Sequence, residues 1–161
     1  MSGIVFGEIK PDQRKGRTGM ELLRAMMAKE LPAATIGKTL NFTLESVEEG
    51  KAVFVGEPTE AFLNPLGTVH GGWALTLIDS ACGCAAHTML PADVGYTSLE
   101  TKVNFTRAIM PTTGQVRAIG RVVSRGRQVM TAEATIEDLS GRLLAHGSST
   151  LLVLRPEPKG E

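Results

Sequence analysis

Asn64-Pro65-Leu66-Gly67-Thr68-Val69-His70-Gly71-Gly72 runs straight into Trp73-Ala74-Leu75-Thr76-Leu77-Ile78-Asp79-Ser80-Ala81-Cys82-Gly83-Cys84-Ala85-Ala86. Polar residues and glycines crowd the start of a stretch that is then apolar on every side. A helix apolar all round is a buried helix. Asp79 is the sole Asp, Glu, Lys or Arg between His70 and Asp93. A lone carboxylate inside a buried helix needs partners or a shifted pKa, so Asp79 is the first candidate for chemistry.

Outward from this stretch, the helix is expected from residue 70 or 71 to 89, with Pro91 ending the region. Upstream, Thr18 or Gly19 caps a short helix over residues 20–29, and Pro32 stops it. Residues 1–17 read as a loosely docked arm. Leu40, Phe42 and Leu44 alternate with polar residues, and Val53 to Val55 form the second arm of a hairpin. Residues 58–65 read as a loop.

Downstream the pattern is all strand. Residues 96–106 place Leu99, Thr101, Val103 and Phe105 on one face, with Ser98, Glu100, Lys102 and Asn104 on the other. Strands follow at 115–123, 129–137 and 143–154, joined by turns at Pro111 to Gly114, Ser124 to Arg127 and Asp138 to Gly141. Four consecutive strands suggest an antiparallel meander, with the buried helix on one face. The expected class is α+β. No repeat or internal linker divides the chain, whose 161 residues suit one core. Three parts are expected: an arm with a short helix over 1–35, a main domain over 36–154 and a polar tail over 155–161.

Seventeen basic residues balance seventeen acidic ones. That argues against a nucleic-acid or acidic-membrane partner. The start lacks the charged and apolar segments of a secretory signal, and no apolar run reaches the ~20 residues of a bilayer span. Cys82 and Cys84, the two cysteines, point ~200° apart on a helix and are poorly placed to bond each other or to share a metal. A cytoplasmic location is the expectation. Aromatics make up 4%, so the core is aliphatic and rich in Ala and Gly. A metal site built from the cysteines with His70, His87 and His146 lacks ligand spacing, so no metal or cofactor is expected. His87 and His146 read as structural.

The Asn-x-x-Gly-x-x-His-Gly-Gly pattern, with an Asp eight residues beyond the first Gly of the pair and strands after it, resembles the hotdog-fold acyl-CoA thioesterases. It is most similar to the phenylacetate-degradation (PaaI-like) and 4-hydroxybenzoyl-CoA thioesterase branch. The resemblance covers residues 36–154. It implies an antiparallel sheet wrapped around a long central helix, homodimers that pair into homotetramers, and hydrolysis of an aryl or medium-chain acyl-CoA. Coenzyme A is then part of the substrate.

Thioester hydrolysis needs a polarised carbonyl and an activated water or an attacking carboxylate. The Gly71 N–H at the helix N-terminus is the expected oxyanion donor, and Gly72 lets substrate approach the backbone. Asp79 is base or nucleophile. By resemblance, Asn64 holds water or orients the carboxylate, His70 fixes the loop or the thioester, and Ser98 orients water. Arg121, Arg125 and Arg127 are candidate phosphate contacts for coenzyme A. Trp73, with Leu63 and Leu77, is expected to line the acyl pocket, and the arm to fold over its entrance.

Asp79 lies ~12 Å from Gly71 along one helix axis. Either one assignment fails, or two chains build each site. The resemblance implies the second, with the helices antiparallel across a two-fold axis, so that a homodimer is the minimal unit. A non-catalytic acyl-CoA-binding module on the same fold is the alternative function. An acyl-CoA hydratase ranks lower, because Cys84 stands where those enzymes carry a His.

Overall fold

The computed structural model describes residues 3–156. All of the expected tail except Arg155 and Pro156 lies outside the described residues, as do Met1 and Ser2 of the arm. The elements run α1 (Pro11–Arg14), α2 (Gly19–Met27), α3 (Thr35–Thr39), β1 (Phe42–Glu48), β2 (Lys51–Gly56), α4 (Gly71–His87), β3 (Gly95–Phe105), β4 (Val116–Arg125), β5 (Val129–Asp138) and β6 (Leu143–Leu154).

The strands form one antiparallel sheet in the order β1-β2-β4-β5-β6-β3. The class is α+β and the architecture is the hotdog: the sheet curls around α4, which touches all six strands. The expected four-strand meander is corrected to three strands, β4-β5-β6. β3 pairs with β6, and residues 106–115 return the chain to β4 beside β2. Helix α4 has already carried the chain from β2 across the concave face to the far edge. β4 then satisfies the open edge of β2, whose backbone groups need partners.

The close wrap follows from small residues on the inner face. A Cβ at Gly120 would collide with the Ala81 carbonyl oxygen. Ala118, Ala132, Ala134 and Ala145 are buried on the same face, with Met130, Ile136 and Leu151 filling the gaps. Leu77 and Ile78 of α4 are fully buried, and truncating such a residue to Ala costs ~2–5 kcal/mol.

α4 ends at His87, two residues short of the expected Met89. Thr88 closes it: its hydroxyl donates to the Ala85 carbonyl (2.6 Å) and accepts from the Gly50 N–H (2.8 Å), tying the β1–β2 hairpin to the helix end. Thr18 caps α2 in a reciprocal box with Glu21.

The arm is docked, against the expectation of a loose one. The Gly7 N–H donates to the Ala33 carbonyl (2.9 Å), and the Ala33 N–H to the Val5 carbonyl (2.8 Å). The Gly16 N–H donates to Asp93 Oδ1 (2.8 Å). The Gly19 N–H donates to the Leu90 carbonyl (3.1 Å), just beyond α4. These bonds hold α2 against the C-terminal end of α4. Among the described residues no helix is long and apolar enough to cross a membrane.

Candidate active site

Asp79 sits at mid-helix, half-buried, facing β3. Ser98 Oγ donates to its Oδ1 (2.8 Å), and Thr101 Oγ1 donates to the same oxygen (2.7 Å). Two residues three apart cannot share one face of a regular strand. A bulge makes it possible. The register with β6 slips between Ser98 and Glu100, so Ser98 lies opposite Leu151 and Thr101 opposite Ser149, both on the helix side. The simple alternation that placed Ser98 and Thr101 on opposite faces is therefore corrected. The Thr101 and Ser149 hydroxyls lie 3.0 Å apart, and Ser149 Oγ also lies 2.9 Å from the Glu100 carbonyl, to which it donates. Thr101 and Ser149 were missed in the sequence because the bulge leaves no signature there. Asp79 Oδ2 accepts no hydrogen bond among the described residues.

The second cluster lies at the N-terminus of α4. His70 is its N-cap, and its Nδ1 accepts from the Gly72 N–H (2.9 Å). The Gly72 N–H is thereby used by the cap. Among the described residues the Gly71 N–H has no acceptor. A Cβ on Gly71 would lie 2.7 Å from the Phe105 ring, so glycine is what lets that ring stand against the helix start. Asn64 Oδ1 accepts from the N–H of Leu66 (2.9 Å) and of Thr68 (3.3 Å), while Nδ2 donates to Thr68 Oγ1 (2.7 Å). Gly67, at φ +82°, supplies the left-handed residue this turn needs. Asn64 thus builds the loop. One Nδ2 hydrogen is left over.

The two clusters open on different cavities. One of about 370 Å³ is bounded by Asn64, His70, Gly71 and Phe105. The other, of about 270 Å³, is bounded by Asp79, Phe42, Phe54, Tyr96, Met26 and Phe6 among others. Within one chain the two halves are not brought together, as the helix rise requires.

Trp73 lines neither of these cavities. It is 3% exposed, stacks on Phe62 and donates its indole N–H to the Leu40 carbonyl (2.8 Å). That corrects its expected substrate role. Leu77 is likewise core.

The arginines are also dispersed. Arg121 stands opposite Glu133 in the strand register, on the outer face. A bulge after Val122 turns Arg125 to the helix side, opposite Met130. Arg125 then lies three strands from Ser98, ~14 Å away, with buried Leu151 and Met130 between. The Gly126 N–H is consumed by the Val129 carbonyl (2.9 Å), so the turn presents no free amide there for phosphate. Arg155, unnoticed in the sequence, donates to the Arg127 carbonyl (3.4 Å).

Loss of solvation pushes both the Cys82 and the Cys84 thiol up to about 12. Neither is a nucleophile near neutrality. Burial also lowers the His87 imidazole. Among the described residues no group of three or more His, Cys, Asp and Glu could hold a metal ion.

The sequence profile of the thioesterase superfamily matches residues 66–145. A Saccharolobus solfataricus protein, provisionally described as an esterase, is 30% identical over 123 residues, 76% of this chain and 86% of its own length. The 1,4-dihydroxy-2-naphthoyl-CoA hydrolase of Listeria monocytogenes is 29% identical over 116 residues, 72% of this chain and 93% of its own length. A solved structure from Ralstonia eutropha, provisionally described as a thioesterase related to phenylacetic acid degradation, superposes with a TM-score of 0.74. It is 25% identical and covers 81% of this chain and 98% of its own.

Proposed function

Because this chain belongs to the thioesterase superfamily and is a thioester hydrolase, we propose that it cleaves an aryl or medium-chain acyl-CoA to free acid and coenzyme A. The carrying observation is Asp79. It is the one carboxylate of a buried helix, its Oδ1 held by two hydroxyls and its Oδ2 unpartnered, at the wall of an apolar cavity. Such a group is positioned rather than mobile.

In this reading Oδ2 takes a proton from water, whose oxygen attacks the carbonyl carbon, or Oδ2 attacks that carbon itself and water then hydrolyses the resulting anhydride. The C–S bond breaks as the tetrahedral oxyanion collapses, and the leaving thiolate takes up the proton released by the water to give coenzyme A. The Gly71 N–H and the helix dipole stabilise the developing oxyanion. Ser98 and Thr101 hold Asp79, and His70 holds the helix start. The chemistry uses protein groups and water alone. The aryl class is supported by the relative whose name states its acyl group, the 1,4-dihydroxy-2-naphthoyl-CoA hydrolase.

The active unit is a two-fold dimer, with Asp79 of one subunit meeting Gly71 of the other, and such dimers pair into tetramers. The open edge of β3 supports this. Its eleven residues lie at the end of the sheet order, Leu99 on the bulge is 58% exposed and Phe105 54%. Long open edges carrying apolar side chains are ready to pair. A cytoplasmic location belongs to the same reading.

The test is a panel of aryl and alkyl acyl-CoAs, followed by release of free thiol. Turnover with an aryl or medium-chain thioester is the expected result. Tight binding with no thiol released from any of them would return the chain to the non-catalytic reading.

A further inference from the structure

The cavity beside Asp79 does not end in solid core. A second, larger cleft of about 830 Å³ lies behind it, between the arm and the start of β3. Met26, Ala34 and Tyr96 face both spaces, so these three side chains are the wall between them. Tyr96 stands where it does because Gly83 lets it. A Cβ on Gly83 would lie 2.5 Å from the Tyr96 hydroxyl oxygen. Gly83 is one helical turn beyond Asp79, ~6 Å along the axis. An acyl group whose carbonyl sits at Asp79 therefore meets the wall after the span of a single ring or a short chain. The inner space, about 270 Å³, lies at the small end of ligand pockets.

Two of the three wall residues come from outside the segment that defines the family. Met26 is on α2 and Ala34 precedes α3, whereas the superfamily match begins at residue 66. The segment that carries them is braced internally by backbone hydrogen bonds between residues 5–7 and 33 and tied to the main domain by the Gly19 N–H to the Leu90 carbonyl.

We infer that Met26, Ala34 and Tyr96 set the upper limit on acyl length, by separating the acyl pocket from a cleft that would otherwise extend it. This rests on the proposed acyl-CoA hydrolysis and names its specificity device. The enzyme accepts aryl and short to medium-chain acyl groups and excludes long chains. Opening the wall joins the two spaces and admits them.

The experiment measures kcat/KM for straight-chain acyl-CoAs from acetyl to palmitoyl, with benzoyl-CoA and phenylacetyl-CoA alongside. Wild type, Met26→Ala and Met26→Leu are compared, each checked by thermal melting. Met26→Ala is expected to raise the ratio of kcat/KM for the longest thioesters to that for benzoyl-CoA at least about tenfold, the scale of methylene discrimination in an apolar pocket. Met26→Leu conserves volume and is expected to keep the wild-type profile. Ala34→Met thickens the same wall and is expected to shorten the accepted chain, giving a readout if Met26→Ala does not fold. Unchanged length profiles in folded Met26→Ala and Ala34→Met overturn the inference. So does efficient palmitoyl-CoA hydrolysis by wild type. If wild type releases thiol from none of the thioesters, the hydrolase reading itself fails and the length limit falls with it.

Discussion

The first turn of α4 and its third turn handle polar groups in opposite ways. At the first turn the helix start is exposed. His70 caps one amide and the Asn64 loop satisfies itself, while the Gly71 N–H is left over. At the third turn the single carboxylate is enclosed. A strand bulge brings two hydroxyls to one oxygen and leaves the other free. Among the described residues one end keeps an unpaired donor and the other an unpaired acceptor, ~12 Å apart on a rigid rod. In the proposed function a second copy brings the two together.

Removing the enclosed half should cost most. Asp79→Asn keeps shape and loses the base, so kcat should fall ~10³-fold, with the melting temperature close to wild type. Steady-state thiol release checks it. Near-normal turnover in the folded variant would dissolve the comparison.

The exposed half is probed at Gly71. In Gly71→Ala the new methyl displaces the Phe105 ring and shifts the helix start, and kcat should fall ~10²-fold. Combining it with Phe105→Ala relieves the clash. Recovery of most of the rate would show that the amide, not the absent side chain, is what the site uses. No recovery would mean that the methyl itself obstructs the substrate.

Thr101→Val and Ser98→Ala each remove one hydrogen bond to Asp79 Oδ1. Each should lower kcat about tenfold with KM little changed, because hydrogen bonds to a charged group are the stronger ones. The double variant tests whether both hydroxyls serve one carboxylate. A combined loss far from the product of the two singles reports coupling.

At the first turn His70→Ala loses the cap. The cost should be ~0.5–2 kcal/mol of stability, read as a lower melting temperature, with a smaller effect on rate than either hydroxyl. The cysteines should matter least. With both thiols pushed up to about 12, about one in 10⁴ is ionised at pH 8. Iodoacetamide at that pH should leave the native protein unmodified and fully active.

The contrast between the two turns also separates what the sequence could show from what it could not. His70-Gly71-Gly72 before an apolar run marks a capped helix start, because capping and glycine chemistry are local. Asp79 stood out because a charge in a buried helix is rare. The shell around it was invisible. Thr101 reaches the carboxylate only through the slip at Leu99, and strict alternation assigns it to the other side. The strand order was hidden for a related reason. Nothing in residues 106–115 states that β4 will seek β2 instead of β3. Trp73 and Arg121 show the same limit: residue type suggests a role, but register and packing decide which face a side chain takes.

Mixed dimers test the shared site most directly. Asp79→Asn and Gly71→Val, each inactive alone, are unfolded together, refolded together and assayed. Random pairing makes half of the dimers mixed, and each mixed dimer regains one intact site of two, so activity should return to about a quarter of wild type. Activity that stays at the level of the two separate variants, with mixed dimers shown to form, would contradict a site built from two subunits.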